Sequence, residues 1–279
     1  MDLTAADELV EHLVDFYDRV APQYDSWAGG LHGRVAARLV QVAGPRAREQ
    51  VLDVGCGTGV GTRLLARKVG ARGGVVGIDL SARMLDLARR EPLANVTFLN
   101  MAAEHMVFRE RSFDLITYGQ SLPYLADPVA SLDEAVRLLR VGGRLALSLH
   151  RRSLQTEAQD IFYSVLGELA LSHHLRIPNH SPERSHFGER EHLPRLLDEL
   201  GFATIQLTEM VTGGRAASPR EWTDLMAGSG PLPNTLISVL GPRLRAEFET
   251  QLQERMKHLG DEAFRYHFAF IFAVGTLTA

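Results

Sequence analysis

Apolar positions follow two different periods along the chain. In the first 45 residues they recur every three or four positions. Leu9, Val10, Leu13, Val14, Phe16 and Tyr17 lie on one face, as an amphipathic helix requires. Pro22 is expected to end or kink that helix, and Gly29 and Gly30 to loosen the chain before a second apolar helix over 35–42. From Gln50 onward, short runs that are apolar at nearly every position alternate with helical segments. The runs are 51–54, 75–78, 96–99, 113–118 and 145–149. Short, aliphatic and unalternating, they predict strands buried on both faces, as in a parallel sheet. Between them, 129–140 turns Val129, Leu132, Val136 and Leu139 to one side and Asp133 and Glu134 to the other. Strand–helix alternation of this kind predicts an α/β fold with an open, doubly wound sheet.

After His150 the alternation breaks. A helix is expected over 191–200, with Leu193, Leu196, Leu197 and Leu200 inward and Gly201 as its C-terminal cap. Further strands are expected over 204–210 and 268–274. The largely helical stretch between them, about 55 residues, is too long for an ordinary connection. The expected organisation is therefore a helical cap segment over 1–45, a nucleotide-binding domain over 46–210 and 263–279, and an inserted helical lid over 211–262, with part of 151–190 joining the cap.

Composition narrows the class. Of 279 residues, 45% are hydrophobic and 23% charged, which excludes wholesale disorder. The net charge is −4, so charge alone would not hold a nucleic-acid backbone. The 30 basic residues include only two lysines, Lys68 and Lys257; the arginine skew is associated with GC-rich bacterial genomes. A single cysteine, Cys56, excludes an internal disulfide framework and a cysteine-rich zinc site. The acidic, amphipathic start has no signal-peptide pattern, and no apolar run reaches the ~18 residues of a membrane span. A soluble, cytoplasmic protein is expected.

The most informative stretch is Val51-Leu52-Asp53-Val54-Gly55-Cys56-Gly57-Thr58-Gly59: a buried strand running into a glycine-rich turn, with a helix starting near Val60. Glycines there permit positive φ and close approach of a ligand. Asp79 ends the next strand, where a carboxylate accepts hydrogen bonds from a ribose diol. The dinucleotide fingerprint is not met, because the third glycine arrives one residue early, at Gly59, and Val60 holds its place. Asp53 moreover opposes a pyrophosphate but suits a ligand carrying ammonium and sulfonium groups. S-adenosylmethionine is such a ligand. The competing reading is a tight structural turn.

These motifs resemble those of the class I S-adenosylmethionine-dependent methyltransferases, in particular their small-molecule branch, similar to the quinone-biosynthesis enzymes. VLDVGCGTG (51–59) is similar to the family's first motif, and GIDLS (77–81) to its ribose-binding segment. SFDLITYGQSLPYLADP (112–128) and LLRVGGRLALS (138–148) are similar to its fourth- and fifth-strand segments. YDRVAPQYDSW (17–27) resembles the N-terminal element that closes over the cofactor, and GEREHLPRLLDELGF (188–202) the helix before strand six. The resemblance implies a Rossmann-like, mostly parallel seven-stranded sheet with a helical cap. It also implies S-adenosylmethionine as cofactor, held by Tyr24, Asp53, Gly55, Cys56, Gly57, Gly59, Asp79, Leu80, Met84, Ala103, Glu104, Gly119 and Gln120. One departure stands out. Where the family usually has Gly-Asp-Ala-Glu, this chain has Met101-Ala102-Ala103-Glu104. Ala102 cannot bind the adenine amino group, which leaves that task to backbone near Ala103 or to Glu104.

The activity implied is methyl transfer to a small, largely apolar acceptor at oxygen or carbon, in bacterial secondary metabolism or a quinone-like pathway. The alternative is a non-methylating cyclase or binding protein on the same scaffold. An oxygen nucleophile needs a general base, for which Tyr124 and His150, at strand ends, are the candidates; His105 lies nearby. Each competes with a plain packing or surface role. His173, His174, His180, His186 and His192 crowd together, but their spacing does not point to a metal, and none is expected. Cys56 has no recognisable partner base and is read as a packing residue. Gln120-Ser121-Leu122-Pro123-Tyr124 lacks the Asn/Asp-Pro-Pro-Tyr/Phe pattern of nucleic-acid amino methyltransferases, so no nucleic-acid partner is expected. Oligomeric state is left open.

Overall fold

The computed structural model describes residues 3–151, 156–175 and 190–278. Two helices come first, α1 (Leu3–Tyr24) and α2 (Trp27–Ala43). Pro22 sits in the last turn of α1, which ends two residues later. In α2, Ala28, Gly29 and Gly30 all take left-handed φ values of 47°, 63° and 78°, so regular helix begins only at Leu31. The Arg34 guanidinium donates to the carbonyls of Ala28 and Gly29 and holds that reversal.

Strand and helix then alternate as β1 (Gln50–Val54), α3 (Val60–Val69), β2 (Gly74–Asp79), α4 (Ala82–Ala88), β3 (Val96–Asn100), β4 (Phe113–Gly119), α5 (Pro128–Leu138) and β5 (Leu139–His150). The helix starts are set by local chemistry. Ser81 caps α4 by accepting the Met84 N–H at 3.0 Å. Asp127 caps α5 through the N–H groups of Val129 and Ala130, with Pro128 in the first turn. Further on come α6 (Glu157–Ser172), α7 (His192–Glu199), β6 (Phe202–Arg215), α8 (Pro219–Ala227), α9 (Pro231–Val239), α10 (Pro242–Met256) and β7 (Arg265–Leu277). Gly201, at φ 85°, follows α7 as expected of a left-handed terminator.

One seven-stranded sheet runs in the order β3-β2-β1-β4-β5-β7-β6. Strands β1 to β5 pair in parallel, but β5 and β7 pair antiparallel, from Arg144↔Thr276 to His150↔Phe270. The sheet is therefore mixed rather than parallel throughout. The reason lies in burial: 268–273 is buried at every position, and a strand covered on both faces carries no sign of its direction.

The chain divides into two compact units. The first holds the described residues of Met1–His150, Glu183–Glu209 and Phe270–Ala279; the second holds those of Arg151–Pro182 and Met210–Ala269. In the first unit the core is built from β1, β4 and β5, where Leu52, Ile116, Tyr118, Leu145 and Leu147 have no exposed surface. The second unit is mainly helical and has an aromatic centre. Phe162 meets Trp222 and Phe248 edge-on at 5.8 and 5.5 Å, and the Trp222 indole N–H donates to the Arg265 carbonyl. Among the described residues, no helix is long and apolar enough to cross a membrane.

In the first unit, strand order reverses between β1 and β4. The crevice outside the carboxyl ends of the strands at such a switch point is where open α/β sheets bind ligands. Gly55 leaves β1 there and Gln120 leaves β4.

Candidate functional site

The loop after β1 is anchored by two bonds, from the Gly55 and Cys56 N–H groups to the Ile78 carbonyl at 2.9 and 3.0 Å. Its three glycines have positive φ (69°, 53° and 78°) for different reasons. A Cβ on Gly55 would lie 2.3 Å from Ser121 Cβ, and one on Gly59 would crowd Phe98, Arg63 and Ala88 at 2.8–3.0 Å. At Gly57 a Cβ would meet nothing within 4 Å. That face of the loop is an open cradle.

Asp79, at the end of β2, closes the cradle. One carboxylate oxygen accepts the Gly57 N–H at 2.8 Å and the other the Ser81 N–H at 2.9 Å. Each oxygen keeps a further lone pair. Burial pushes this carboxyl above its ordinary range, opposed by the N–H donors. Asp53 is buried deeper, 5% exposed, and accepts from the Thr62 and Thr117 hydroxyls at 2.7 Å each. Burial raises its pKa as well, and the two hydroxyls pull it back. Cys56 lies between these acids. Burial, then the charges of Asp79 and Asp53, hold its thiol well above the usual range, so it is protonated and inert.

The cleft has two chambers. The outer one is lined by Tyr17, Tyr24, Ile78, Asp79, Leu80, Met84, Met101, Ala103, Glu104 and Tyr124, among others, with Val10, Leu13 and Val14 of α1 along one wall. The inner one is lined by Tyr24, His32, Asp53, Cys56, Thr58, Thr117 and Ser148, with Val35, Ala36 and Leu39 of α2 opposite the sheet. Gly55, Gly57, Gly119, Gln120 and Tyr24 line both and join them.

Of the site residues read from the sequence, twelve of the thirteen cofactor positions line one chamber or both. Gly59 lines neither; its missing side chain makes room for helix α3 and strand β3 to pack. Ala102 also lies off the cleft, whereas Met101, Ala103 and Glu104 line it. Glu104 is tied to the Asp127 N–H at 3.1 Å. Tyr124 lines the outer chamber, edge-on to Tyr17 at 6.0 Å. His150 lines neither chamber and meets Phe270 edge-on at 5.6 Å. His105, His173, His174 and His192 are exposed, while His180 and His186 lie outside the described residues. No metal-binding group of His, Cys, Asp and Glu occurs among the described residues.

Sequence reading missed four contributors. Asp18 of α1 accepts the Ser81 hydroxyl and the Arg83 N–H, and Asp25 accepts the Thr58 hydroxyl at 2.7 Å. The N-terminal element is thereby bonded to both ligand loops. His32 stacks on Tyr24 at 4.0 Å, 3° from parallel, with Trp27 at 5.2 Å. Burial pushes its imidazole down to about 4, so it is neutral near pH 7. Asn100 donates to the carbonyls of Asp79 and Leu80 and fixes that turn. Only the repeated Tyr-Asp at 17–18 and 24–25 is visible as a signal in the sequence.

Residues 51–143 match the family described as a methyltransferase domain. A demethylmenaquinone methyltransferase of Staphylococcus aureus (strain Newman) is 30% identical over 189 residues, 64% of this chain and 78% of that protein. The chain belongs to the S-adenosylmethionine-dependent methyltransferases. Aklanonic acid methyltransferase DauC of Streptomyces sp. (strain C5) is 36% identical over 136 residues, 47% of this chain and 62% of that enzyme's length. In fold, the YcgJ protein of Bacillus subtilis is similar, with a TM-score of 0.60 and 19% identity over 88% of this chain and 99% of that one. The cleft fits the methyltransferase cofactor on its own features: an open glycine cradle, a buried acid, Asp53, a half-buried one, Asp79, and a buried amide donor, Gln120 Nε2, without a partner.

Two outcomes follow for this methyltransferase. Gly57→Ala should cost about 1–2 kcal/mol of stability for the left-handed backbone but weaken S-adenosylhomocysteine binding strongly. Gly59→Ala adds overpacking of about 1–3 kcal/mol and should unfold at clearly lower urea. Urea titration with calorimetry checks both; equal stability of the two variants would contradict the division of roles. The second concerns His32. The unfolded imidazole takes up its proton near 6.5, the folded one near 4. Between those values the unfolded chain binds more protons. His32 therefore supports the fold fully above about pH 6.5, and on the order of 3 kcal/mol is lost as pH falls toward 4. His32→Phe should flatten that part of the stability–pH curve measured by urea titration.

Proposed function

We propose that the protein transfers the methyl group of S-adenosylmethionine to oxygen or carbon of a small, largely apolar acceptor of quinone or aromatic polyketide type. The observation that carries the reading is the joined pair of chambers, with Asp79 at the outer end, Asp53 at the inner end and the open Gly57 backbone between them. The demethylmenaquinone and aklanonic acid enzymes act on acceptors of these two kinds by name, and both support the choice.

In this reading Asp79 uses its remaining lone pairs for the ribose diol, and Gly57 brings its backbone against the ligand. Leu80, Met84 and Ala103 line the adenine end, with Glu104 and nearby backbone replacing the acid absent at Ala102. The cofactor supplies a methyl group already made electrophilic by its sulfonium. The chain's own task is then alignment and exclusion of water, and alignment of this sort supplies about 7–11 kcal/mol. The N-terminal element, bonded to both loops, excludes water from the outer chamber. Tyr124, at the mouth of β4, serves as the acid–base group where an oxygen nucleophile needs one. Its place in the outer chamber favours it over His150. The N-terminal element, whose Val10, Leu13, Val14, Tyr17 and Tyr24 line the cleft, acts as a cap that opens for the acceptor.

Three measurements test the reading. Calorimetry should show one S-adenosylhomocysteine site per chain and no micromolar NAD binding. Asp79→Asn should lose about 1.5–3 kcal/mol of binding, the worth of hydrogen bonds to a charged group. Unchanged affinity would remove Asp79 from the site, and methyl-labelled cofactor that labels no quinol or polyketide phenol would remove the acceptor class. Hydrogen exchange should gain protection over 17–27 when ligands bind. Protection confined to the Gly55–Gly59 and Asp79 loops would leave the cap a scaffold.

A further inference from the structure

The lone pairs that Asp79 keeps for a ligand point where the turn after β2 aims them, because Ser81 supplies one of its two backbone bonds. Ser81 is 2% exposed and uses each of its polar groups. Its N–H goes to Asp79 at 2.9 Å and its carbonyl accepts the Leu85 N–H at 3.2 Å. Its hydroxyl oxygen accepts the Met84 N–H at 3.0 Å, and its hydroxyl proton goes to Asp18 of α1. Asp18 is half-buried and takes the Arg83 N–H on the same carboxylate oxygen, at 3.3 Å. From β3, the Asn100 amide donates to the carbonyls of Asp79 and Leu80 at 3.1 and 2.9 Å. The 79–83 turn is therefore gripped from two flanks, by α1 and by β3.

The grip from α1 is not needed to start α4. Ser81 alone caps that helix, with a bond three residues long. The Asp18 bond instead spans 63 residues, and closing a loop of that length carries an entropic cost. Ser81 and Asp79 line the outer chamber, whereas Asp18 lines neither chamber. Asp18 thus meets the site only through the turn that carries Asp79. A binding group holds its geometry to a fraction of an ångström only where neighbouring hydrogen bonds fix it.

We infer that Asp18 is a positioning residue, which sets cofactor affinity by pinning Ser81 and, through it, the free lone pairs of Asp79. The inference rests on the reading of Asp79 as the ribose acid. The bond order is Asp18 to the Ser81 hydroxyl, Ser81 N–H to one Asp79 oxygen, and Gly57 N–H to the other. Loss of the first bond frees the turn and lets the carboxylate swing from the line of the ribose diol. The task needs a hydrogen-bond acceptor at position 18, which an amide oxygen also provides.

A double-mutant cycle on the intact chain tests this, with S-adenosylhomocysteine affinity read by calorimetry. Asp18→Ala should weaken binding about tenfold, and Asp18→Asn should stay within about threefold of the unaltered protein. In an Asp79→Asn background, Asp18→Ala should change affinity less than about twofold, because the group it positions is already impaired. An equal loss in both backgrounds would overturn the inference and leave α1 a cover that acts independently of Asp79. No loss for Asp18→Ala, or no rescue by Asp18→Asn, would overturn it as well. An Asp79→Asn variant that binds as tightly as the unaltered protein would refute the ribose reading itself, a result separate from the other three. Should Asp18→Ala not fold, Ser81→Ala, which cuts the same bond and keeps the N–H to Asp79, replaces it in the cycle with the same expected losses.

Discussion

The site depends on one half-buried carboxylate. Asp79 takes the Gly57 N–H on one oxygen and the Ser81 N–H on the other, and so ties the turn after β1 to the turn after β2. Ser81 then caps α4 and donates to Asp18 on the N-terminal helix. Three segments far apart in sequence are aligned by one side chain. The two chambers are the space left between what it aligns.

That arrangement has an electrostatic cost. Two carboxylates, Asp53 and Asp79, are placed where burial disfavours their charge, and each is kept ionisable by a few donors. The unpartnered Gln120 and Ser148 donors add to the cost. A sheet chosen for stability alone would carry apolar residues at these strand ends. A ligand bearing positive charge and oxygen acceptors relieves both terms at once, and so binding and stability are linked here.

Much of the fold was legible because its signals are local. Apolar runs at 51–54 and 113–118 read as buried strands, and they are. The order of Asp79 and the glycine turn along the chain pointed to one cleft, and Gly55, Gly57 and Asp79 line it. What escaped depends on tertiary placement. The direction of β7 leaves no trace in a run buried on both faces. Gly59 looks like a ligand glycine, but packing against Phe98, Arg63 and Ala88 requires it. His32 is an unremarked histidine until Tyr24 and Trp27 close around it. Ser148 reads as one polar residue in an apolar strand; only the pairing of β4 with β5 brings it beside Gln120 in the inner chamber.

The Tyr-Asp pairs at 17–18 and 24–25 are seven residues apart, two helical turns, or about 10.5 Å of rise. Asp18 meets the loop after β2 and Asp25 meets the loop after β1. Helix α1, with Asp25 just past its last residue, therefore works as a ruler cut to the separation of two ligand loops. Its constraint is one of length and phase more than of composition. Arg19, Pro22 and Gln23 between the pairs are exposed, but a single inserted residue would turn one pair about 100° away from its loop.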